Sequence, residues 1–115
     1  MLNSELLEKL IEFRKARDWE KFHTFKNVAV SICLEAAELL EHVQWTPDPE
    51  VPEVAARKRE EISAEIADIA IYLMYLSHDL GIDIEQAVRK KLASNELKYP
   101  ISRARGKSLK YTQFD

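Results

Sequence analysis

ISAEIADIAIYLMYL, residues 62–76, is apolar around most of a helical circumference and yet carries Glu65 and Asp68 one turn apart. Side chains at i and i+3 project from one helix face, so the turns on either side extend the stripe to Glu61, Glu65, Asp68 and Tyr72. A carboxylate on a face that ought to be buried is costly unless something positive meets it. The fold therefore turns on a buried helix, and the chemistry on what answers its acidic stripe.

The preceding apolar run repeats the pattern. From Val28 to about Val43, apolar residues go nearly all the way round, interrupted by one narrow stripe of Ser31, Glu35, Glu38 and His42, with Glu41 beside it. A helix apolar all round is buried, which in so small a chain calls for helices on several sides, another subunit included. Asn27 is the expected N-cap. Upstream, Leu6, Leu7, Leu10, Ile11 and Phe13 recur at helical spacing over 4–17, with Ser4 as expected cap. Between these two helices RDWEKFHTFKN, residues 17–27, packs aromatics and a histidine among charges. It reads either as a hydrophobic flap over the end of the core or as a wall that stacks a planar ligand.

After Trp45, a loop with Pro47, Pro49 and Pro52 leads into a helical pattern running to Leu80, roughly 40 Å if unbroken. Gly81 is the natural residue to close it. Asp83 with Gln86 resembles a capping box for a last helix, 84–97, which Tyr99–Pro100 ends. The tail 101–115 is basic, through Arg103, Arg105, Lys107 and Lys110. A solvated mobile tail is the default reading, and a clamp on an anionic ligand the sharper one.

Composition narrows the class. The 115 residues are 46% hydrophobic and 32% charged, with two glycines and four prolines, which favours one domain of a few long helices. A net charge of −3 argues against binding nucleic acid, since phosphate contacts need a basic surface. The single cysteine, Cys33, excludes an internal disulfide and reads as a buried structural thiol. No long unbroken apolar run and no signal-peptide pattern is present, so a cytoplasmic location is expected.

If the two acidic helices pack side by side, Glu35, Glu38, Glu65 and Asp68 converge. Like charges that close raise one another's pKa unless a cation neutralises them. An all-oxygen set suits a hard cation, and Mg2+ commonly completes its octahedron with waters and substrate phosphates. Zinc is disfavoured because there is no Cys/His cluster, and a di-iron bundle because the single Glu-x-x-His spacing, Glu20 to His23, lies in the irregular segment. Lys91 and Asn95, with Lys98 a further turn along, are the nearest candidates to meet phosphates, although a plain exposed face explains Lys91 equally well. Trp19, His23, Trp45 and Tyr72 are candidates to enclose a base, with core packing as the alternative for each.

The segments RDWEKFH (17–23), LEAAELLEHVQW (34–45), EEISAEIADIAIYLMYL (60–76), KLASNELKYP (91–100) and KYT (110–112), in this order and spacing, resemble the MazG-like all-α nucleoside triphosphate pyrophosphohydrolases, in particular the dCTP pyrophosphatase type. The resemblance implies a four-helix-bundle-like fold over residues 1–100 with a basic tail at 101–115, assembled as a homotetramer of dimers. It implies Mg2+-dependent cleavage of a (d)NTP, such as dCTP or a modified pyrimidine deoxynucleotide, to the monophosphate and pyrophosphate. Glu35, Glu38, Glu65 and Asp68 map onto the metal ligands, and Trp19, His23, Trp45 and Tyr72 onto the base pocket. Lys91, Asn95, Lys98 and Tyr99 map onto the phosphate- and sugar-contacting elements. Glu38 and Glu61, each within a turn of the ligand set, are both candidates for general base. Phe25, just before Lys26, stands where the family often has proline. The rival readings are a phosphoribosyl-ATP-type pyrophosphatase of the same superfamily and a non-catalytic helical oligomerisation module.

Overall fold

The computed structural model describes residues 4–114. Among them are six α-helices, three single-turn 3-10 segments and no strand: α1 (Ser4–Ala16), α2 (Phe25–Glu41), α3 (Val51–Arg57), α4 (Arg59–Asp79), α5 (Ile84–Lys98) and α6 (Ile101–Ala104). The chain divides into two compact units, 4–81 and 82–114. No helix of the described residues is long and apolar enough to cross a membrane.

In the first unit, Ser4 is already helical, and the cap position before it lies outside the described residues. α1 closes at Asp18, whose φ of 53° is left-handed, a conformation that aspartate tolerates better than most side chains. The next helix starts three residues earlier than the expected Val28. Thr24, not Asn27, is its N-cap, and Thr24 Oγ1 accepts a 3.1 Å hydrogen bond from the backbone N–H of Asn27. The Asn27 side chain instead reaches back, its Nδ2 donating to the Phe22 carbonyl at 3.0 Å. That bond ties the 3-10 turn Glu20–Phe22 to the first turn of α2.

The long helix expected to end at Leu80 is broken in two. Lys58, at φ −101° and ψ 23°, separates α3 from α4, leaving a second piece roughly 32 Å long. Three successive cations, Arg57, Lys58 and Arg59, sit at the break. The hydrogen bonds Lys58 N–H to Val54 O and Ile62 N–H to Lys58 O persist on either side, so the chain bends there without looping out.

Gly81 ends α4 as anticipated, at φ 68° with its N–H on the His78 carbonyl at 3.1 Å. A Cβ there meets nothing within 4 Å, so Gly81→Ala isolates the backbone cost of a left-handed residue, about 1 kcal/mol. Thermal unfolding should show the melting temperature falling by about 4 °C, and a smaller loss for Gly81→Asn.

α2 and α4 form the principal packed pair, and α1 lies on α4. Val28, Met74 and Tyr75 are the buried apolar residues, and Arg14 is buried with them. The expectation that α2 is buried all round is corrected: Val28 alone is buried along it, while Val30, Leu34 and Leu40 are exposed. Cys33 is likewise exposed rather than buried. α4 covers one side of α2, and the far side forms a groove of Phe25, Lys26, Ala29, Val30, Cys33 and Leu34.

In the second unit, Asp83 caps α5 by accepting from the Gln86 N–H at 3.1 Å, the forward half of the expected capping box. The tail departs from the solvated default. It carries α6 and a 3-10 turn, Tyr111–Gln113, and its aromatics close on the end of α5: Tyr99 meets Tyr111 at 6.1 Å and Phe114 at 5.7 Å, both edge to face. Edge-to-face rings supply specific attraction beyond the area they bury.

Candidate active site

The α2–α4 pair sets the two acidic stripes toward each other. The clearest link is between His42, the C-cap of α2, and Glu65 of α4: His42 Nε2 donates to Glu65 Oε2 at 2.6 Å, with both side chains largely shielded. His42 is thus a satisfied partner of an acidic residue, and it fixes the orientation of one carboxylate of the set.

Glu35 is the least satisfied. Its Oε2 is shut off from solvent with no hydrogen-bond partner. Burial, foremost, raises its carboxyl above the usual range; close approach to Glu38 and the charges of Glu38, Asp68 and Glu65 push the same way. The four carboxylates predicted to converge are therefore electrostatic neighbours. They are not a formed cage, since among the described residues no three of His, Cys, Asp or Glu stand in a metal-holding group. The donor set nonetheless fits a hard divalent cation, being all oxygen, mutually repulsive and equipped with one shielded oxygen that lacks any partner. Glu38 and Asp68 are exposed, as is Glu61, one turn before Glu65.

Beside the stripe, His23 follows the 3-10 turn and faces two tyrosines of α4, Tyr72 at 6.2 Å and Tyr75 at 5.3 Å between ring centres. Its Nδ1 is buried without a partner. Trp19 packs edge to face on Phe13 at 5.7 Å, with the Arg17 guanidinium 3.6 Å above the Phe13 ring. Trp45, in the turn after α2, is 88% exposed. His23 and Tyr72 are thus brought together, whereas Trp19 and Trp45 present exposed rings without touching them.

The second unit carries the remaining candidates. Lys91 is exposed on α5, and Asn95 is half-buried one turn on. Lys98 Nζ lies 5.0 Å above the Tyr111 ring, and Tyr99 belongs to the aromatic cluster already described.

Three residues at the site were not singled out from sequence. Arg14 donates to Asp79 through Nη1 at 2.8 Å and Nη2 at 2.7 Å, and its guanidinium lies 4.6 Å from the centre of the Tyr75 ring. The Tyr75 hydroxyl donates to the Leu10 carbonyl at 2.7 Å. A signal was available: Arg14 falls at i+7 from Leu7, on the apolar stripe of α1, where a charge is out of place.

Taken together, the fold and site define an all-α protein in which two acidic helix stripes face each other beside a ring cluster of His23, Tyr72 and Tyr75. The family model for the MazG-like family matches residues 30–114. The chain is also 40% identical over 103 residues to dCTP pyrophosphatase 1 of Bos taurus, covering 88% of this chain and 61% of that protein. Against dCTP pyrophosphatase 1 of Homo sapiens it is 36% identical, covering 89% and 61%. It therefore spans about three fifths of the length of these curated relatives. The crystal structure of a pyrophosphatase from Archaeoglobus fulgidus superposes with a TM-score of 0.82 at 50% identity, covering 84% of this chain and 91% of that one. This chain belongs to the MazG-like family.

Proposed function

We propose that the protein is a Mg2+-dependent nucleotide pyrophosphohydrolase that cleaves a (d)NTP, dCTP or a modified pyrimidine deoxynucleotide, to the monophosphate and pyrophosphate. The observation that carries this reading is the shielded, unpartnered Glu35 oxygen, its carboxyl pushed up among three other carboxylates. Such a set is uncomfortable alone and satisfied by a cation. Likeness to the dCTP and archaeal pyrophosphatases supplies the substrate class.

In this reading Glu35, Glu38, Glu65 and Asp68 hold Mg2+, which when bound polarises the phosphate and lowers the pKa of water. His42 keeps Glu65 aimed, as an outer partner does for a ligating carboxylate. Glu38 and Glu61, both open to solvent, are the candidates to take the proton from the attacking water. His23 and Tyr72 line the base pocket, with Trp19 and Trp45 as its outer rings. Lys91, Asn95, Lys98 and Tyr99 bind phosphate and sugar, and Lys91 offsets charge on the departing pyrophosphate. The working form is a homo-oligomer, a tetramer built from dimers, in the cytoplasm.

The test is pyrophosphate release from a panel of dNTPs with and without Mg2+. Turnover should need the metal and favour a pyrimidine deoxynucleotide. Metal-independent hydrolysis, or full activity in Glu65→Ala, overturns the reading.

A further inference from the structure

Arg14, Asp79, Tyr75 and His23 form a cluster apart from the acidic stripes, built from α1, α4 and the segment before α2. A cation this deep is expensive unless fully paired. The Arg14 side chain is only 6% exposed; both of its terminal nitrogens are taken by Asp79, two bonds of 2.7 and 2.8 Å in a planar fork, and Nε alone is left without a partner. Such a fork fixes the guanidinium in place as well as neutralising it. The fixed plane lies against Tyr75, whose hydroxyl is tied to the Leu10 carbonyl, so that ring has little freedom to turn. Tyr75 and Tyr72 in turn bracket His23, which makes no hydrogen bond at its buried Nδ1.

We propose that Arg14, locked by Asp79, is a positioning residue for substrate selection: through Tyr75 it sets the imidazole of His23 with Nδ1 turned inward, so that Nε2 is the hydrogen-bonding atom kept for the nucleotide base. The proposal rests on the reading of His23 as part of the base pocket. A ring held with one nitrogen shut off has a single nitrogen left to offer, and the bond that nitrogen makes to a base edge is lost when the edge cannot supply it. A base edge that offers nothing at this point is rejected for the same reason, so the lock bears on which base is accepted.

The same cluster sets the charge of the imidazole. Burial first, and the Arg14 cation second, lower the His23 pKa, while Asp79 opposes them. The other groups bearing on the cluster are Glu20 on Arg14, Arg17 and Tyr72 on Tyr75, and His78 on Asp79. A neutral ring can donate or accept at its two nitrogens, whereas a protonated one only donates.

Two variants break the same ion pair from opposite sides. In Arg14→Met, His23 loses the cation and faces a bare Asp79 carboxylate, so its ring titrates at higher pH than in the native protein. In Asp79→Asn the cation remains without its counter-charge, so the ring titrates lower. Arg14→Lys keeps the charge without the fork, and its titration stays near the native one. The readout is the His23 ring signal followed by NMR through a pH series on the protein without nucleotide. The companion measurement is KM and kcat for dCTP across pH. KM in Arg14→Met should rise about tenfold, the loss of one well-placed hydrogen bond, with kcat within about twofold. In Arg14→Met the rise of KM on acidification should also begin at higher pH. Shifts of the same sign in Arg14→Met and Asp79→Asn, or a loss in kcat at constant KM, overturn the proposal. Absence of turnover in the native protein overturns the pyrophosphohydrolase reading instead, and the titrations alone then decide whether the lock exists.

Discussion

Glu35→Gln is expected to lower Mg2+-dependent turnover by a factor on the order of 100 to 1,000, because a charged metal ligand is lost. In the same sample it should raise the melting temperature of the metal-free protein. The two effects come from one cause. Folding shields one oxygen of the Glu35 carboxyl and sets the group beside Glu38, Asp68 and Glu65; the loss of water, foremost, and these neighbours raise its pKa. A carboxyl whose folded pKa is raised opposes folding at any pH where it is ionised. That penalty is present at neutral pH and relaxes as pH falls through the folded value toward the usual carboxylate range. The amide keeps the shape while removing the charge, so it lifts the penalty and discards the ligand. Mg2+ should raise the melting temperature of the native protein, as any ligand bound only by the folded state must, and do so much less in the variant. A variant that keeps full turnover, or melts lower without metal, contradicts the assignment of Glu35 to a cation.

Much of this site was legible in the chain because it depends on spacing within helices. Glu35 and Glu38, and Glu65 and Asp68, are one turn apart on the two runs whose other residues are apolar, so their placement follows from helical period alone. Gly81 and Asp83 were legible for a similar reason, each being a local backbone solution. The misread points were contests between neighbours or across the fold. Thr24 and Asn27 both suit an N-cap, and the choice fell to Thr24 once Asn27 was engaged by the Phe22 carbonyl. The break at Lys58 lies in a stretch where Val51, Val54 and Ile62 keep helical spacing across it, so the pattern reads as one unbroken helix. Arg14 and Asp79 are 65 residues apart, and nothing local in either announces the other. Cys33 was expected inside because α2 is apolar all round, yet a helix can be apolar on a side that its own chain does not cover.

That uncovered side leads to the second large effect, which rests on the proposed homo-oligomer: Leu34→Glu is expected to weaken self-association by about a hundredfold or more in Kd, and to lower the melting temperature. Leu34 is 59% exposed and Phe25 60%, with Val30 and Leu40 close behind, all on one helix. A contiguous apolar face of this kind on a small protein marks an interaction surface. The charge pattern of α2 favours a second copy as the occupant. Lys26 lies near one end of the face and Glu41 at the other, with Val30, Cys33, Ala37 and Leu40 between them at helical spacing. Laying α2 antiparallel on its own copy about a twofold axis near Cys33 brings each Lys26 to the partner's end that carries Glu41, the self-complementarity an isologous dimer requires. Each leucine covered in this way contributes about 2 kcal/mol, and a carboxylate placed there reverses the sign. Sedimentation or light scattering over a dilution series reads the change, and the native melting temperature should rise with protein concentration, because association stabilises the folded chain. The orientation has its own check. Lys26→Glu should weaken association by less than about tenfold, the scale of an exposed ion pair, and adding Glu41→Lys should restore it. If Leu34→Glu leaves the mass unchanged, this face is not the interface; if the charge reversal fails to restore association, the helices do not meet antiparallel.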